Sequence, residues 1–250
     1  MSAVNKAPVR RYTTIDSTNL EAHRLFEKGE HGPLFLLGDE QTHGRGRLER
    51  QWVSPPGNCY STLVLPLAAD ISVLPQIGFV VSLAVADVVT AFAPQARLQL
   101  KWPNDVLIAG AKVSGILSEV VSQSPHTLAI GCGINVAHAP SGLAYHATHL
   151  SVFGEATRDG VFDIYRSALA HWLAMWDEGH DFETIRLAWL QRAIGIGETV
   201  SMTTADMNIT GCFEGLTSQG AIIIKDIDRT HMLLSGDLHI PSLTALRSAI

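Results

Sequence analysis

Three arginines lie close together in a stretch that also contains two glycines, Gly44-Arg45-Gly46-Arg47-Leu48-Glu49-Arg50, with Trp52 two residues further on. Guanidinium groups bind phosphate and carboxylate oxygens bidentately, and glycine lets a main chain approach a ligand closely. The stretch, hereafter the arginine loop, therefore favours binding of a phosphorylated small molecule. Taken alone, it is equally well interpreted as a basic turn exposed to solvent.

A second group of polar residues leaves a predicted strand through a proline, in the order Lys101-Trp102-Pro103-Asn104-Asp105. A hairpin then brings Lys112, at the start of the return strand, back toward Asn104 and Asp105. An ammonium group near an acyl phosphate stabilises the negative charge that develops there. Asn104 and Asp105 are also ordinary turn residues, and an exposed strand lysine is common, so this group does not decide the function alone.

Two further segments have both a structural and a ligand-binding interpretation. The side chains of Ser17-Thr18-Asn19 either cap a helix or hydrogen-bond a neutral polar ligand group. The glycines of Gly131-Cys132-Gly133-Ile134-Asn135 indicate either a strand bulge or room for a flat ligand. Gln41 is either a surface residue or a group that orients a carboxylate.

Hydrophobic patterning predicts the elements that position these groups. A capping box of Thr18 and Glu21 predicts the start of the first helix, which Gly29 ends. After about residue 196 the pattern changes to short strands, which predicts a small β-barrel and a division into residues 1–195 and 196–250. The predicted strands before that point are 9–15, 34–37, 60–67, 98–101, 106–108, 112–121 and 128–136, and the other helices are 71–92, 160–176 and 182–193.

Composition excludes several classes of protein. A net charge of -6 argues against a general nucleic-acid-binding protein. The three cysteines are scattered, which indicates neither a disulfide framework nor a zinc site and favours a reducing cytoplasm. We expect no metal site made of protein ligands. The longest apolar run, residues 77–89, is interrupted by polar residues and is expected to be too short to span a bilayer, and no secretory signal is expected at the N-terminus.

Other catalytic patterns are missing from the sequence. There is no G-x-S-x-G segment, no P-loop pattern, and no third glycine that would complete a dinucleotide fingerprint around Gly44. Assignments to serine hydrolases, P-loop proteins and Rossmann proteins therefore fail.

Together, five motifs in this order resemble the biotin-protein ligases, and the resemblance covers almost the whole chain. It implies an α+β fold, with a mixed-sheet biotin/lipoate ligase-like catalytic domain over residues 1–195 and an SH3-like barrel over 196–250. The motifs are Ser17-Thr18-Asn19, Gln41-x-x-Gly44-Arg45-Gly46-Arg47, Lys101-Trp102-Pro103-Asn104-Asp105, Lys112-x-x-Gly115-Ile116-Leu117 and Gly131-x-Gly133-Ile134-Asn135.

The resemblance implies that biotin and Mg-ATP form biotinyl-5'-AMP, and that the biotinyl group then passes to a lysine of a carrier protein. It implies that catalysis depends on Arg47, Lys112 and Asp105. The implied biotin-binding residues are Ser17, Thr18, Gln41, Gly44, Arg45, Lys112, Gly115, Gly131 and Gly133. The implied ATP- or adenylate-binding residues are Arg45, Arg47, Arg50, Trp52, Asn104, Lys112 and Asn135.

The resemblance also limits the partners. We expect a biotin carboxyl carrier protein as substrate, and neither nucleic acid nor membrane as a partner. The first catalytic strand begins near Val9, so we expect neither an N-terminal DNA-binding domain nor a repressor function. His43 departs from the usual family residue at its position, and its role stays open. The oligomeric state also stays open, with a homodimer among the states the sequence allows.

Two other functions compete with biotin ligation. A lipoate or octanoate ligase of the same fold is expected to carry an R-R-x-S-G-G-G type segment in place of Gly-Arg-Gly-Arg. A non-catalytic module that senses biotin or a nucleotide has no need of cations directed at a phosphate. The sequence favours the biotin ligase over both.

Overall fold

Alternating and apolar segments form a seven-stranded mixed sheet in the computed structural model, which describes residues 3–124, 126–143 and 145–245. The spatial order is β1-β2-β3-β7-β6-β5-β4, with β1 parallel to β2 and the other neighbours antiparallel. The strands are β1 (Val9–Ile15), β2 (Leu34–Gln41), β3 (Cys59–Pro66), β4 (Leu98–Lys101), β5 (Asp105–Ile108), β6 (Ala111–Gln123) and β7 (His126–Ile134). All seven were predicted, and β2 is four residues longer than expected.

The N-cap residue of the first helix lies one position before the residue that the sequence predicted. Ser17, and not Thr18, is the N-cap residue of α1 (Thr18–Glu27), and its hydroxyl accepts a hydrogen bond from Leu20 N at 3.5 Å. The predicted capping box of Thr18 and Glu21 is therefore wrong. Because Thr18 is not needed as a cap, its hydroxyl turns toward the sheet and donates to Gln41 Oε1 at 3.1 Å.

The most apolar helix, α2 (Ile77–Phe92), packs between the sheet and two later helices, α3 (Arg158–Trp176) and α4 (Phe182–Leu190). A 3-10 turn, Ile71–Gln76, replaces the first part of the predicted helix. The expectation that this region is too short to cross a bilayer is wrong, because Ser72–Phe92 is helical over 21 residues with a mean hydropathy of 1.8. However, 67% of its most apolar part is buried within the protein, as in a core helix.

The C-terminal part forms a five-stranded antiparallel sheet of order β11-β10-β9-β8-β12. Four of its strands were predicted, whereas the last strand and the short helix α5 (Pro241–Ala245) were not. The predicted division at residue 195 falls between α4 and the first of these strands. They are β8 (Thr199–Thr203), β9 (Asn208–Leu216), β10 (Ile222–Lys225), β11 (Thr230–Leu233) and β12 (Asp237–His239).

The two sheets share one hydrophobic core. The ring of Phe79 on α2 lies 5.6 Å from that of Phe182, and both rings pack against Gly220 in the turn after β9. Trp102 is buried and its indole N–H donates to the carbonyl of Gly220 at 3.4 Å. These contacts fix the C-terminal sheet against the turn between β4 and β5, so that β12 lies beside the polar residues there.

Candidate active site

A cavity of about 290 Å³ lies between one side of the first sheet, the arginine loop and β12. It is lined by most of the residues that the sequence predicted for the site, although these come from distant parts of the chain. The predicted residues that line it are Ser17, Thr18, Gln41, Arg45, Arg47, Arg50, Trp52, Asn104, Asp105, Lys112, Gly115, Gly131 and Gly133.

Two predicted site residues do not line the cavity and instead support those that do. Gly44 is buried, and a Cβ atom there would lie 2.3 Å from the carbonyl oxygen of Trp52. Asn135 is 1% exposed, and its side-chain amide donates to Thr148 O at 3.0 Å. The Oδ1 atom of Asn135 is buried and has no hydrogen-bond partner in the described part of the chain. His43, whose role the sequence left open, is exposed and does not line the cavity.

One end of the cavity is polar but neutral. Gln41 Oε1 accepts hydrogen bonds from the Thr18 backbone N–H at 2.9 Å and from its hydroxyl, and Gln41 Nε2 donates to Ser54 Oγ at 3.0 Å. Thr62 Oγ1 lies 2.8 Å from Thr18 Oγ1 and 2.6 Å from Asn19 Oδ1. This network fixes the orientation of several hydroxyl and amide groups around the cavity wall.

The start of α1 is held by an ion pair just outside this network. Asp16 accepts hydrogen bonds from both Arg24 terminal nitrogens at 2.7 and 2.8 Å and from Ser17 N at 2.7 Å. The Arg24 hydrogen bonds lower the pKa of Asp16 to about 2. Asp16 is therefore ionised at neutral pH and holds the segment that carries Ser17 and Thr18.

The other end of the cavity is strongly charged. Lys112 Nζ lies 2.6 Å from Asp105 Oδ1, which confirms that the hairpin brings these two residues together. Arg45 pairs with Glu119 at 3.1 Å, and Arg50 pairs with Asp237 of β12. Each of these cations therefore has one carboxylate partner.

Among the residues that the structure describes, no carboxylate contacts Arg47, in contrast to Arg45 and Arg50. The guanidinium of Arg47 donates to Asn104 Oδ1 at 3.2 Å and to the carbonyl of Gly236 at 3.3 Å. Burial lowers the pKa of Arg47, against the opposing influence of Asp237 and Asp105. Neutral oxygens compensate a buried positive charge poorly, so this guanidinium is well placed to receive an anion.

The indole of Trp52 lies directly on the glycines of the sheet. A Cβ atom at Gly133 would lie 2.5 Å from Trp52 Nε1, and one at Gly115 would lie 2.9 Å from Trp52 Cζ3. Lys112 Nζ lies 5.4 Å from the centre of the same ring system, within cation–π range. The glycines are thus needed first for the close approach of an indole, which the sequence did not indicate.

Sequence reasoning missed two residues that organise the site, Glu119 and Asp237. Asn19 Nδ2 donates to Glu119 Oε2 at 2.8 Å, and Glu119 in turn holds Arg45. Glu119 lies four residues after Gly115 on β6, and alternate residues of a strand face the same side. The two-residue periodicity of the strand could therefore have placed Glu119 on the same face as Gly115. Asp237 lies 187 residues from its partner Arg50, and no local pattern indicates that contact.

The fold and the charged cavity define a class of protein. A model of the biotin/lipoate A/B protein ligase family matches residues 11–135, half of the chain, and the chain belongs to that family. It is 40% identical over 220 residues to the biotin–[acetyl-CoA-carboxylase] ligase of Paracoccus denitrificans, covering 84% of this chain and 91% of that protein. It is 29% identical to the bifunctional ligase/repressor of Bacillus subtilis, covering 92% of this chain and 73% of that protein.

Solved structures support the same relationship. The biotin protein ligase of Aquifex aeolicus in complex with biotin and ATP superposes with a TM-score of 0.79 at 28% identity, covering 92% of this chain and 97% of that one. The agreement extends over both sheets because nearly the whole chain is covered. The α+β fold expected from the sequence is confirmed.

We predict that Gly133→Ala moves the Trp52 indole away from the sheet, because an added Cβ would lie 2.5 Å from Nε1. The fluorine NMR spectrum of protein labelled with 5-fluorotryptophan should show a shifted Trp52 resonance among the five tryptophans. A Trp52→Phe variant assigns the resonance. Gly78→Ala is the matched control, since its added Cβ meets only Pro103 O at 3.4 Å. An unchanged Trp52 resonance in Gly133→Ala would contradict the contact.

Proposed function

We propose that this chain is an ATP-dependent biotin-protein ligase. In the first step, a carboxylate oxygen of biotin attacks the α-phosphorus of ATP, and pyrophosphate leaves. In the second step, a lysine amine of a biotin carboxyl carrier protein attacks the acyl carbon, AMP leaves, and the amine loses a proton. The observation that carries this proposal is the single cavity that joins a neutral polar end to a cluster of cations.

The charged end suits the first step. Two anions must meet when a carboxylate attacks a phosphate, so cations are required around both. Lys112 and Arg47 line this end, and Arg47 lacks a carboxylate partner. A bound carboxylate or phosphate would replace Asp105 as the partner of Lys112, and the cationic side chains would then stabilise the charge that develops on phosphorus.

The neutral end favours biotin over lipoate. A ureido group offers both donors and an acceptor, which match the hydroxyls of Ser17 and Thr18 and the amide of Gln41. The dithiolane ring of lipoate has no hydrogen-bond donor and only weakly accepting sulfur atoms, so it would leave the remaining hydrogen-bonding capacity of these groups unused. A site built for hydrogen bonds rejects a ligand that lacks them by a large factor, whereas a purely apolar site does not.

The region between the two ends suits a nucleotide. Trp52 offers an aromatic surface, and its buried Nε1 atom has no hydrogen-bond partner within residues 3–124, 126–143 and 145–245. Asn135 follows β7 directly and lies outside the present cavity. Its Oδ1 atom, which has no hydrogen-bond partner among the described residues, is an acceptor of the kind that recognises the amino group of adenine. We propose that these two residues contact the adenine of ATP and of the adenylate, with Trp52 moving from its present contact with Gly133.

ATP is proposed to bind as its magnesium complex. Over residues 3–124, 126–143 and 145–245, no group of three histidine, cysteine, aspartate or glutamate side chains lies close enough together to hold a metal ion. The carboxylates that line the cavity, Asp105 and Asp237, are each paired with a cation. Mg²⁺ would therefore take most of its ligands from the phosphates and from water, as it commonly does in nucleotide sites.

A cytoplasmic location is proposed together with the carrier protein as the macromolecular substrate. Cys59, Cys132 and Cys212 are all free thiols, which suits a reducing compartment. The net charge of -6 argues against nucleic acid as the macromolecule that meets the cavity.

We predict that the purified protein exchanges labelled pyrophosphate into ATP when biotin is present, and much less with lipoate or octanoate. The reason is the hydrogen-bonding neutral end of the cavity. Lys112→Met serves as the negative control and should lower exchange on the order of 100-fold, the effect of removing one preorganised donor. Exchange with lipoate alone would favour the lipoate ligase, and no exchange with any acid would favour a sensing module.

We predict that Arg47→Gly still forms the adenylate, because Lys112 remains at the charged end, but releases it. Arg47 links the arginine loop to Asn104 and to Gly236, so its loss should let the loop open over a reactive mixed anhydride. The measurement is the labelling of bystander proteins in a mixture with the carrier domain, detected with labelled streptavidin. Leu48→Gly, at an exposed position in the same loop, is the control for general loosening. Loss of adenylate synthesis in Arg47→Gly, with no labelling at all, would contradict this prediction and show that Arg47 is required for the first chemical step.

We predict that Asp105→Asn slows transfer from preformed biotinyl-AMP to the carrier lysine. The lysine amine has a pKa of about 10.4 in water, so a carboxylate beside the acyl group is needed to take its proton. Single-turnover transfer measured against pH isolates this step from adenylate synthesis. Full retention of the transfer rate would exclude Asp105 as the base.

A further inference from the structure

Lys101 is a cation of the cavity to which neither the sequence nor the proposed reaction gives a role. It is the last residue of β4, is partly buried, and lines the cavity. Its backbone pairs with that of Asp105 on β5. Unlike Arg45, Arg50 and Lys112, its side chain makes no ion pair or hydrogen bond with any residue in the described part of the chain.

The charges around Lys101 come from three parts of the protein. Asp105 and Asp237 favour its protonated form, whereas Lys112 and Arg50 oppose it. Burial is the largest influence and lowers the pKa of Lys101. The ammonium group thus lies where β4, the arginine loop and β12 come together, with its charge only partly compensated.

The strand order gives the cavity a direction. Strands β7, β6, β5 and β4 are successive neighbours in the sheet. Gly133 lies on β7, Lys112 on β6, Asp105 on β5 and Lys101 on β4. Strands in a sheet are about 4.8 Å apart, so β6 and β4 are separated by roughly 10 Å. A ligand that begins at the neutral end and crosses β6 at Lys112 therefore reaches Lys101 last.

We propose that Lys101 binds the β- and γ-phosphates of ATP, the part of the nucleotide that leaves as pyrophosphate. This inference rests on the proposed function, because it assumes that the reacting carboxylate and the α-phosphate lie near Lys112. The bond to the leaving oxygen breaks as the carboxylate bonds to the α-phosphorus, and negative charge grows on the pyrophosphate. An ammonium without a protein partner is suited to take up that charge, and it does not have to break an ion pair to do so.

The test separates the two half-reactions in Lys101→Met and Lys101→Arg, with Lys6→Met, an exposed lysine far along the chain, as control. In Lys101→Met we expect the KM for ATP in biotin-dependent pyrophosphate exchange to rise about tenfold or more, the effect of losing a charge-assisted contact. Transfer from preformed biotinyl-AMP to the carrier lysine, and the affinity for AMP, should stay within about twofold, because neither ligand has β- or γ-phosphates. Lys101→Arg should recover most of the exchange.

Two results would overturn the inference. One is unchanged exchange in Lys101→Met, and the other is an equal loss in both half-reactions, which would indicate a structural role. If Lys101→Met does not fold, inhibition by added pyrophosphate in Lys101→Gln decides, since weaker inhibition is expected there and an unaltered inhibition constant contradicts the assignment. Failure of the proposed function is distinguishable, because the protein without substitutions would then show no biotin-dependent exchange.

Discussion

Mutual repulsion among five cationic side chains is the constraint that the rest of the site satisfies. Two unit charges 4 Å apart repel by about 4 kcal/mol at an effective dielectric constant of 20, so a cluster of cations around one cavity is costly without counter-charges. The protein supplies three carboxylates from separate elements, Asp105 on β5, Glu119 on β6 and Asp237 on β12. The cations that line the cavity are Arg45, Arg47, Arg50, Lys101 and Lys112.

The pairing also explains why the C-terminal sheet belongs to the site. Arg50 and Arg47 both reach the segment around Gly236 and Asp237, which is held against the first sheet by the Phe79–Phe182–Gly220 contact. The tip of the arginine loop carries Leu48 and Glu49 in left-handed backbone conformations, with φ values of 54° and 57°. Such residues store about 1–3 kcal/mol each and persist only where their surroundings enforce them. Contacts to β12 therefore help to hold the loop in a strained form that can change when a ligand competes for its arginines.

The sequence predicted the strands and the hairpin because their signals are local. Alternation over Val9–Ile15 sufficed to predict β1. The Ala109-Gly110 turn between the predicted strands 106–108 and 112–121 sufficed to place Lys112 near Asp105. The three-residue strand β12 is too short to show a period, and its contact with Arg50 spans most of the chain. Ser17 and Thr18 are both good caps by residue type, so only packing against Gln41 decides between them. The fit of Trp52 on Gly133 likewise depends on how two distant segments meet.

The ion pair between Lys112 and Asp105 connects the two proposed steps. In the ion pair, Lys112 Nζ lies 2.6 Å from Asp105 Oδ1, so this carboxylate oxygen is occupied by the ammonium group. When a substrate carboxylate or phosphate takes Lys112, Asp105 loses its partner beside the newly formed anhydride. The base would thus become effective only after the acid and the nucleotide have bound. Arg47 and Lys101 differ from Lys112, because neither pairs with a carboxylate of the described residues and both are available to anions from the start.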